Sequence, residues 1–138
     1  MSNPDETVDA LLEANAEFYR AFRTGDMTAM ASLWADDEDI LCIHPGHATL
    51  CGRSQVLESW FDILAGPPEV VSARPEVLIR GTIGIVTCIE RIDTAHLAAT
   101  NIFRMDDGSW RMIHHHGSQI FAPLDDEEEE EAETPAIH

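Results

Sequence analysis

The alternation of apolar and polar positions divides the chain into a helical first half and a β-rich second half. Apolar residues recur at helical spacing over residues 3–25, over 27–34 and over 54–65. Between the second and third of these segments, residues 40–51 carry one or two short strands ended by glycine and proline. The pattern predicts a long helix, a short helix and a third helix, in that order.

The residues after Pro68 predict a run of antiparallel strands. Period-two alternation and β-branched residues dominate this half, and short turn sequences such as Asp106-Asp107-Gly108 interrupt it. Pro75 lies inside the first strand, which predicts an edge position or a bulge. The predicted strands cover residues 70–80, 82–93, 95–105 and 109–121. We expect an α+β domain in which the helices lie against one face of a curved sheet.

The charge of the chain excludes several classes of partner. Its 138 residues contain 26 acidic and 8 basic side chains, a formal net charge of -18. Even without the acidic run at residues 125–133, the chain remains strongly acidic. It would repel phosphate backbones and anionic lipids, so we expect no nucleic-acid or membrane partner. The run itself predicts a disordered tail over residues 124–138, separate from a domain at 1–123.

Cysteine content and hydropathy favour a cytoplasmic protein. The three cysteines, Cys42, Cys51 and Cys88, are odd in number and lack metal-binding spacing, which favours reduced thiols. No apolar run approaches the length of a membrane span, and the N-terminus is unlike a signal peptide.

Several short motifs resemble the SnoaL-like group of the nuclear-transport-factor-2-like (NTF2-like) superfamily. They are Phe22-x-x-Gly25-Asp26, His44-Pro45-Gly46, Gly52 with Trp60, and Asp107-Gly108-x-Trp110-x-x-Ile113-His114-x-His116-x-Ser118. Together with the order of elements, they are closest in pattern to the association domain of calcium/calmodulin-dependent kinase II. The resemblance implies a cone-shaped fold with a pocket at its wide end and a homodimer formed through the outer face of the sheet.

The inner face of the sheet is predicted to carry Glu90, Asn101 and His115. This prediction places Glu90 opposite Asn101 and treats residues 106–108 as a three-residue loop, which sets Asn101 opposite Ile113. A two-residue loop would instead set Asn101 opposite His114. We favour the first register, because the resembled domain places a polar pair at the positions of Asn101 and Gly117 in its pocket.

Glu90 and His115 are the candidate catalytic residues, since burial and a neighbouring charge can tune a carboxyl or an imidazole for acid–base work. The alternative is a structural pair that closes the cone. The candidate ligand-contacting residues are Trp34, His44, Trp60, Asn101, His114 and His116.

His114 and His116 have three possible roles. Strand alternation places them with Trp110 and Met112, and on an outer face they would be interface residues; the other register would bring His114 inward. A metal site with His44 or His47 as third ligand lacks supporting ligand spacing, so we expect no metal.

Two functions remain open. The first is a cofactor-independent isomerase, cyclase or dehydratase that acts on a small, largely apolar molecule. The second is a ligand-binding or oligomerisation module with no turnover. The fold alone does not decide between them.

Overall fold

A computed structural model describes residues 4–121 of the chain; the predicted tail at 124–138 lies outside these residues. The helices are α1 (Pro4–Thr24), α2 (Met27–Leu33) and α3 (Arg53–Leu64). The strands are β1 (Leu41–Ile43), β2 (Leu50–Cys51), β3 (Val70–Arg80), β4 (Ile83–Ile92), β5 (Ala95–Asp106) and β6 (Ser109–Gln119). The predicted order of elements and the α+β class are confirmed. No helix within residues 4–121 is long and apolar enough to cross a membrane.

The strands form one mixed sheet in the order β2-β1-β6-β5-β4-β3. β1 pairs with β6 in parallel, and every other neighbouring pair is antiparallel. Pro75 lies in β3, at the edge of the sheet, where the register shifts between Ala73 and Glu76. The edge position and the bulge predicted from this proline are both present, because proline has no amide hydrogen to give to a ladder.

The turn between β5 and β6 contradicts the three-residue loop. Asp107 and Gly108 both have positive φ angles (50° and 84°), and Asp106 pairs directly with Ser109. Two consecutive residues of positive φ make the two-residue hairpin whose twist matches that of the flanking strands. The preferred loop length was therefore wrong.

A bulge at Ile113 then changes the register within β6. Ile102 pairs with His114 while Phe103 pairs with Met112, so Ile113 has no opposite residue. An extra residue reverses the alternation of side chains beyond it. Neither predicted partner of Asn101 is correct, since Asn101 lies opposite His115.

The bulge also corrects the predicted faces of β6. Trp110, Met112 and His115 are all buried on the inner face. The expectation that Trp110 and Met112 share a face with His114 and His116 was wrong, because it assumed unbroken alternation.

The β4–β5 pairing differs from the prediction without changing the faces. Glu90 lies opposite Leu97, and Asn101 lies opposite Val86, so the predicted Glu90–Asn101 pairing was wrong. The predicted and observed partners lie an even number of residues apart along the strand. Side chains alternate every residue, so each one stays on its expected face. Glu90, Asn101 and His115 therefore share the inner face.

Helix α1 lies close against this inner face. At Gly84 in β4, a Cβ atom would come within 2.7 Å of the Leu11 side chain of α1, so glycine permits the close approach. The core between helices and sheet is aromatic around α1, with edge-to-face contacts from Phe18 to Tyr19 and to Trp60. This packing brings α1 side chains against the polar residues of the sheet.

Candidate functional site

A buried polar network occupies the space between α1 and the inner face of the sheet. Its members are Asn15 and Tyr19 on α1, Glu90 on β4, Asn101 on β5 and His115 on β6, each at most 4% exposed. Asn15 and Tyr19 are four residues apart on one helical face, which lets both reach the sheet. Three strands and one helix therefore contribute to a single site.

The hydrogen bonds of the network run in one direction. His115 Nδ1 donates to Asn101 Oδ1 (2.6 Å), because a carbonyl oxygen can only accept. Asn101 Nδ2 donates to Asn15 Oδ1 (2.9 Å) and to the Tyr19 hydroxyl oxygen (3.1 Å). The Tyr19 hydroxyl in turn donates to Glu90 Oε2 (2.5 Å). The network thus ends on a carboxyl group.

Burial gives Glu90 an affinity for protons that suits neutral pH. Removal from water raises the pKa of its carboxyl from 4.5 to about 7, although the hydrogen bond from Tyr19 opposes the shift. At neutral pH the group is present in both protonation states. It can therefore both accept and donate a proton.

His115 behaves differently, although the sequence pairs it with Glu90 as a candidate acid–base residue. Burial, with smaller effects of His44, His114 and His116, lowers the pKa of its imidazole from 6.5 to about 3. The ring is neutral at physiological pH, with its proton on Nδ1 facing Asn101. Its Nε2 atom lies 4.0 Å from Glu90 Oε2, too far for a hydrogen bond, and the pair is not an ion pair.

Tyr19 and Asn15 are the members of the network that the sequence did not single out. Tyr19 belongs to the apolar stripe of α1 and was counted only toward the helical pattern. Asn15 lies four residues before Tyr19 on that buried stripe. A buried side-chain amide needs a hydrogen-bond partner, so this spacing could have indicated a polar site beneath α1. Tyr19 also contacts Cys88 Sγ (3.2 Å), and burial raises the pKa of that thiol to about 12.

Two cavities adjoin the network. One, of about 210 Å³, lies between α1 and the β3 bulge, and Asn15, Cys88 and Pro75 are among its lining residues. The other, of about 140 Å³, is lined by Pro45, Ile92, Ala95, Leu97 and Gln119. Neither is lined by Glu90 or His115 themselves.

The second cavity lies next to the Glu90 carboxyl. A Cβ atom placed on Gly117 would lie 3.3 Å from Glu90 Oε1, 3.5 Å from Leu97 Cδ2 and 3.6 Å from Pro45 Cγ. Glycine at this position leaves room for the carboxyl beside two of the residues that line the cavity. Pro45 and Leu97 thus line this cavity and lie, like the Glu90 carboxyl, beside Gly117.

The two tryptophans among the candidate ligand-contacting residues, Trp34 and Trp60, occupy different places. Trp60 is fully buried and packs against His115, with ring centroids 5.8 Å apart. Trp34 is also buried, but it pairs with Met112 and lines a polar cavity of about 800 Å³ together with Arg53 and Arg111. The structure brings Trp60 to the network and places Trp34 elsewhere.

His44 contacts Trp60, the tryptophan that also packs against His115. The His44 and Trp60 rings are 5.0 Å apart, and His44 lines a separate cavity of about 430 Å³. It is near the network without belonging to it.

His114 and His116 lie on the outer face of β6. Their ring centroids are 6.3 Å apart, and His114 is half-buried while His116 is exposed. Within residues 4–121, no three His, Cys, Asp or Glu side chains are grouped so that they could hold a metal ion.

Comparison with known proteins agrees with the fold. The model of the SnoaL-like domain family matches residues 11–123. A proposed dehydratase of the NTF2-like family from Streptomyces avermitilis is 31% identical, with a TM-score of 0.80 over 87% of this chain and 100% of that chain. A proposed calcium/calmodulin-dependent protein kinase type II association domain from Thiobacillus denitrificans is 29% identical, with a TM-score of 0.67 over 78% and 92% of the two chains. The resemblance inferred from the motifs is confirmed.

A longer plant protein is also similar. F-box protein SKIP8 of Arabidopsis thaliana is 28% identical over 131 residues, which cover 88% of this chain and 54% of that protein. The chain thus spans about half the length of this relative.

Proposed function

This chain belongs to the SnoaL-like domain family, and from that premise we propose that it binds a small, largely apolar molecule on which Glu90 transfers a proton. The reaction would be an isomerisation, cyclisation or dehydration that needs no cofactor. The observation that carries the proposal is the Glu90 carboxyl, which is buried on the inner face and has a pKa raised to about 7.

Each neighbour has a distinct role in this chemistry. The Tyr19 hydroxyl holds Glu90 Oε2 by its 2.5 Å hydrogen bond, which leaves Oε1 as the atom that meets the substrate. Neutral His115 fixes Asn101, and Asn101 fixes the Tyr19 hydroxyl. The ionised carboxyl removes a proton from a carbon next to a carbonyl group. The resulting acid then returns that proton to another carbon, or to a leaving hydroxyl group.

Access to Glu90 runs through the cavity bounded by Pro45 and Leu97. Its volume of about 140 Å³ is below the roughly 300–1,000 Å³ of typical ligand sites. A substrate therefore reaches Oε1 only when one of these two side chains moves aside, as in enzymes that open before binding.

A direct test uses 3-cyclohexen-1-one, whose conversion to the conjugated 2-cyclohexen-1-one is followed by ultraviolet absorbance. We expect the wild type to accelerate this reaction and E90Q to reduce the rate by about 100-fold or more. The matched control is E58Q, which alters an exposed glutamate of α3 and should retain the wild-type rate. An E90Q rate equal to that of the wild type would contradict the role of Glu90.

The second candidate is a ligand-binding or oligomerisation module with no turnover. The near-complete burial of the network favours it, since mutual hydrogen bonds also describe a structural cluster that closes the interior. A wild type that binds cyclohexenone without converting it or related carbonyl compounds would support this candidate.

Both candidates include a homodimer formed through the outer face of the sheet. One cross-strand row on that face contains four apolar residues, two of which, Leu41 and Leu78, are large and exposed (41% and 46%). Such a row favours coverage by a second copy. The row consists of Leu41, His114, Ile102, Ile85 and Leu78.

We also propose a cytoplasmic location, where the free thiols Cys42, Cys51 and Cys88 stay reduced.

A further inference from the structure

A second cavity of ligand size lies outside the Glu90 network. It has a volume of about 430 Å³, within the range of small-molecule sites, and lies between α3 and the segment that joins β1 to β2. Its lining residues are His44, His47, Ala48, Thr49, Leu50, Ser59, Asp62 and Ile63. Five of these eight residues carry a polar or ionisable group, but most of the surface that the lining exposes to the cavity is apolar.

The polar groups of this cavity include a fixed pair, His44 and Ser59. His44 Nε2 lies 2.9 Å from Ser59 Oγ, and the Ser59 hydroxyl also lies 2.7 Å from the carbonyl oxygen of Val56. Ser59 has a single hydroxyl hydrogen, which goes either to Val56 or to His44. In the first case His44 Nε2 carries the ring proton, and in the second Nδ1 carries it.

The two possible positions of the His44 ring proton allow the pair to accept a hydrogen bond from a ligand or to donate one to it. Within residues 4–121, His44 Nδ1 has no hydrogen-bond partner, while Nε2 lies 2.9 Å from Ser59 Oγ and 3.7 Å from Cys42 Sγ. Nδ1 can therefore present either a lone pair or an N–H group, according to which way Ser59 turns. A ligand hydroxyl or carbonyl can be met by the same imidazole.

The charges around the cavity disfavour an anionic ligand. Burial, with a smaller effect of His47, lowers the pKa of His44 from 6.5 to about 4, so its ring is neutral at physiological pH. The carboxylate of Asp62 lies on the same wall. Among residues 4–121, no arginine or lysine lines the cavity, and the chain as a whole carries a net charge of -18. An anionic ligand would therefore be repelled.

The cavity is independent of the Glu90 site. Of the described residues that line it, none belongs to the network or lines either of the two cavities that adjoin the network. A molecule in the cavity contacts α3 and the β1–β2 segment, and it does not reach the carboxyl of Glu90.

We propose that this cavity is a binding site for an uncharged, largely apolar molecule that carries one hydroxyl or carbonyl group, with the His44–Ser59 pair as its polar anchor. The apolar body lies against Leu50 and Ile63, and the polar group meets His44. The site stands whether or not Glu90 is catalytic.

The test uses 1-naphthol as the neutral probe and 1-naphthoate as its anionic counterpart, titrated into the full chain and followed by calorimetry and NMR. We expect 1-naphthol to bind, with intermolecular NOEs to the methyl groups of Leu50 and Ile63, and 1-naphthoate to bind at least about tenfold more weakly. S59A removes the hydrogen bond that holds the His44 ring at Nε2, and it should weaken 1-naphthol binding by roughly 3- to 10-fold because the anchor is then less well positioned. H44F keeps a ring of similar shape without its nitrogens and should weaken binding by at least as much.

The matched control is S32A, which removes a serine of α2 whose hydroxyl donates to the carbonyl oxygen of Thr28 and which does not line this cavity. It should bind 1-naphthol as the wild type does. Thermal unfolding checks that each variant folds. If H44F does not fold, the affinity of S59A for 1-naphthol is the test. The proposal is overturned by absence of 1-naphthol binding, by NOEs to other residues, by equal binding of the anion, or by S59A behaving like S32A.

Discussion

Removal of the Tyr19 hydroxyl should destabilise the protein more at pH 8 than at pH 5. In Y19F the Glu90 carboxyl loses its 2.5 Å donor, and Asn101 Nδ2 loses one of its two acceptors. At pH 5 the carboxyl is mostly protonated, since its pKa is about 7, and the loss is that of neutral hydrogen bonds, about 1–2 kcal/mol. At pH 8 the carboxyl is mostly ionised, and a charge-assisted bond is lost, so we expect about 2–4 kcal/mol.

The direction of this effect follows from the linkage between protonation and folding. The pKa of Glu90 in the folded state lies above its unfolded value of 4.5. The contribution of Glu90 to the free energy of unfolding is therefore fully present below pH 4.5 and is lost as the pH rises through about 7. The Tyr19 hydroxyl lowers the pKa of Glu90 in the folded state. Its removal raises that pKa further, and Y19F therefore loses additional stability only above neutral pH.

The assay is urea denaturation at fixed protein concentration, followed by the fluorescence of the buried tryptophans Trp34, Trp60 and Trp110. C88A is the control, because it removes another partner of the Tyr19 hydroxyl whose thiol, with a pKa of about 12, stays protonated at both pH values. Its loss should be the same at pH 5 and pH 8. Equal losses for Y19F at the two pH values, within about 0.5 kcal/mol, would refute the reasoning.

Three further predictions concern other parts of the molecule. Between pH 4 and pH 9 the free energy of unfolding of the wild type should fall by about 3 kcal/mol, because the pKa of Glu90 rises from 4.5 to about 7 on folding and each pKa unit corresponds to about 1.4 kcal/mol. E90Q should lack this fall. Parallel curves of unfolding free energy against pH for the two proteins would contradict this. R53K should cost about 1–3 kcal/mol in urea denaturation, because the Arg53 guanidinium donates to three carbonyl oxygens at the end of α2, and a negligible loss would argue against that role. L78E should convert the proposed homodimer to a monomer in light scattering after gel filtration, and a monomeric wild type would exclude the dimer.

The fold was predictable because hydrophobic periodicity determines element type and order. The helical stripes of α1 and α3 and the alternation of β4 and β5 appear in the structure within a few residues of their expected limits. Pro75 marked both the edge strand and its bulge, since its missing amide hydrogen restricts where it can lie in a sheet. These features depend on local residue chemistry, which the sequence displays directly.

The register of β6 was not predictable in the same way. A two-residue turn at Asp107-Gly108 and a bulge at Ile113 each displace the pairing by one residue. The two displacements together set Asn101 opposite His115. The bulge places both Met112 and His115 on the inner face, and no local sequence motif indicates it. His115 was assigned to the inner face by an incorrect register.

The candidate site was only partly foreseen, because its composition depends on a helix docking against the sheet. Glu90, Asn101 and His115 were grouped from strand alternation, in a register chosen by the resemblance to the association domain. Asn15 and Tyr19 reach them from α1, a contact between residues more than 70 positions apart in the chain. The chemical difference between Glu90 and His115 likewise depends on burial, which raises one pKa and lowers the other.

The most direct test of the proposed proton transfer by Glu90 is an NMR titration of its side-chain carboxyl carbon, assigned by comparison with E90Q. A titration midpoint near pH 7 in the wild type, and a higher midpoint in Y19F, is the predicted result. A midpoint near 4.5, the ordinary value of a glutamate in water, would contradict the account, because Glu90 would then be a permanently ionised carboxylate at neutral pH.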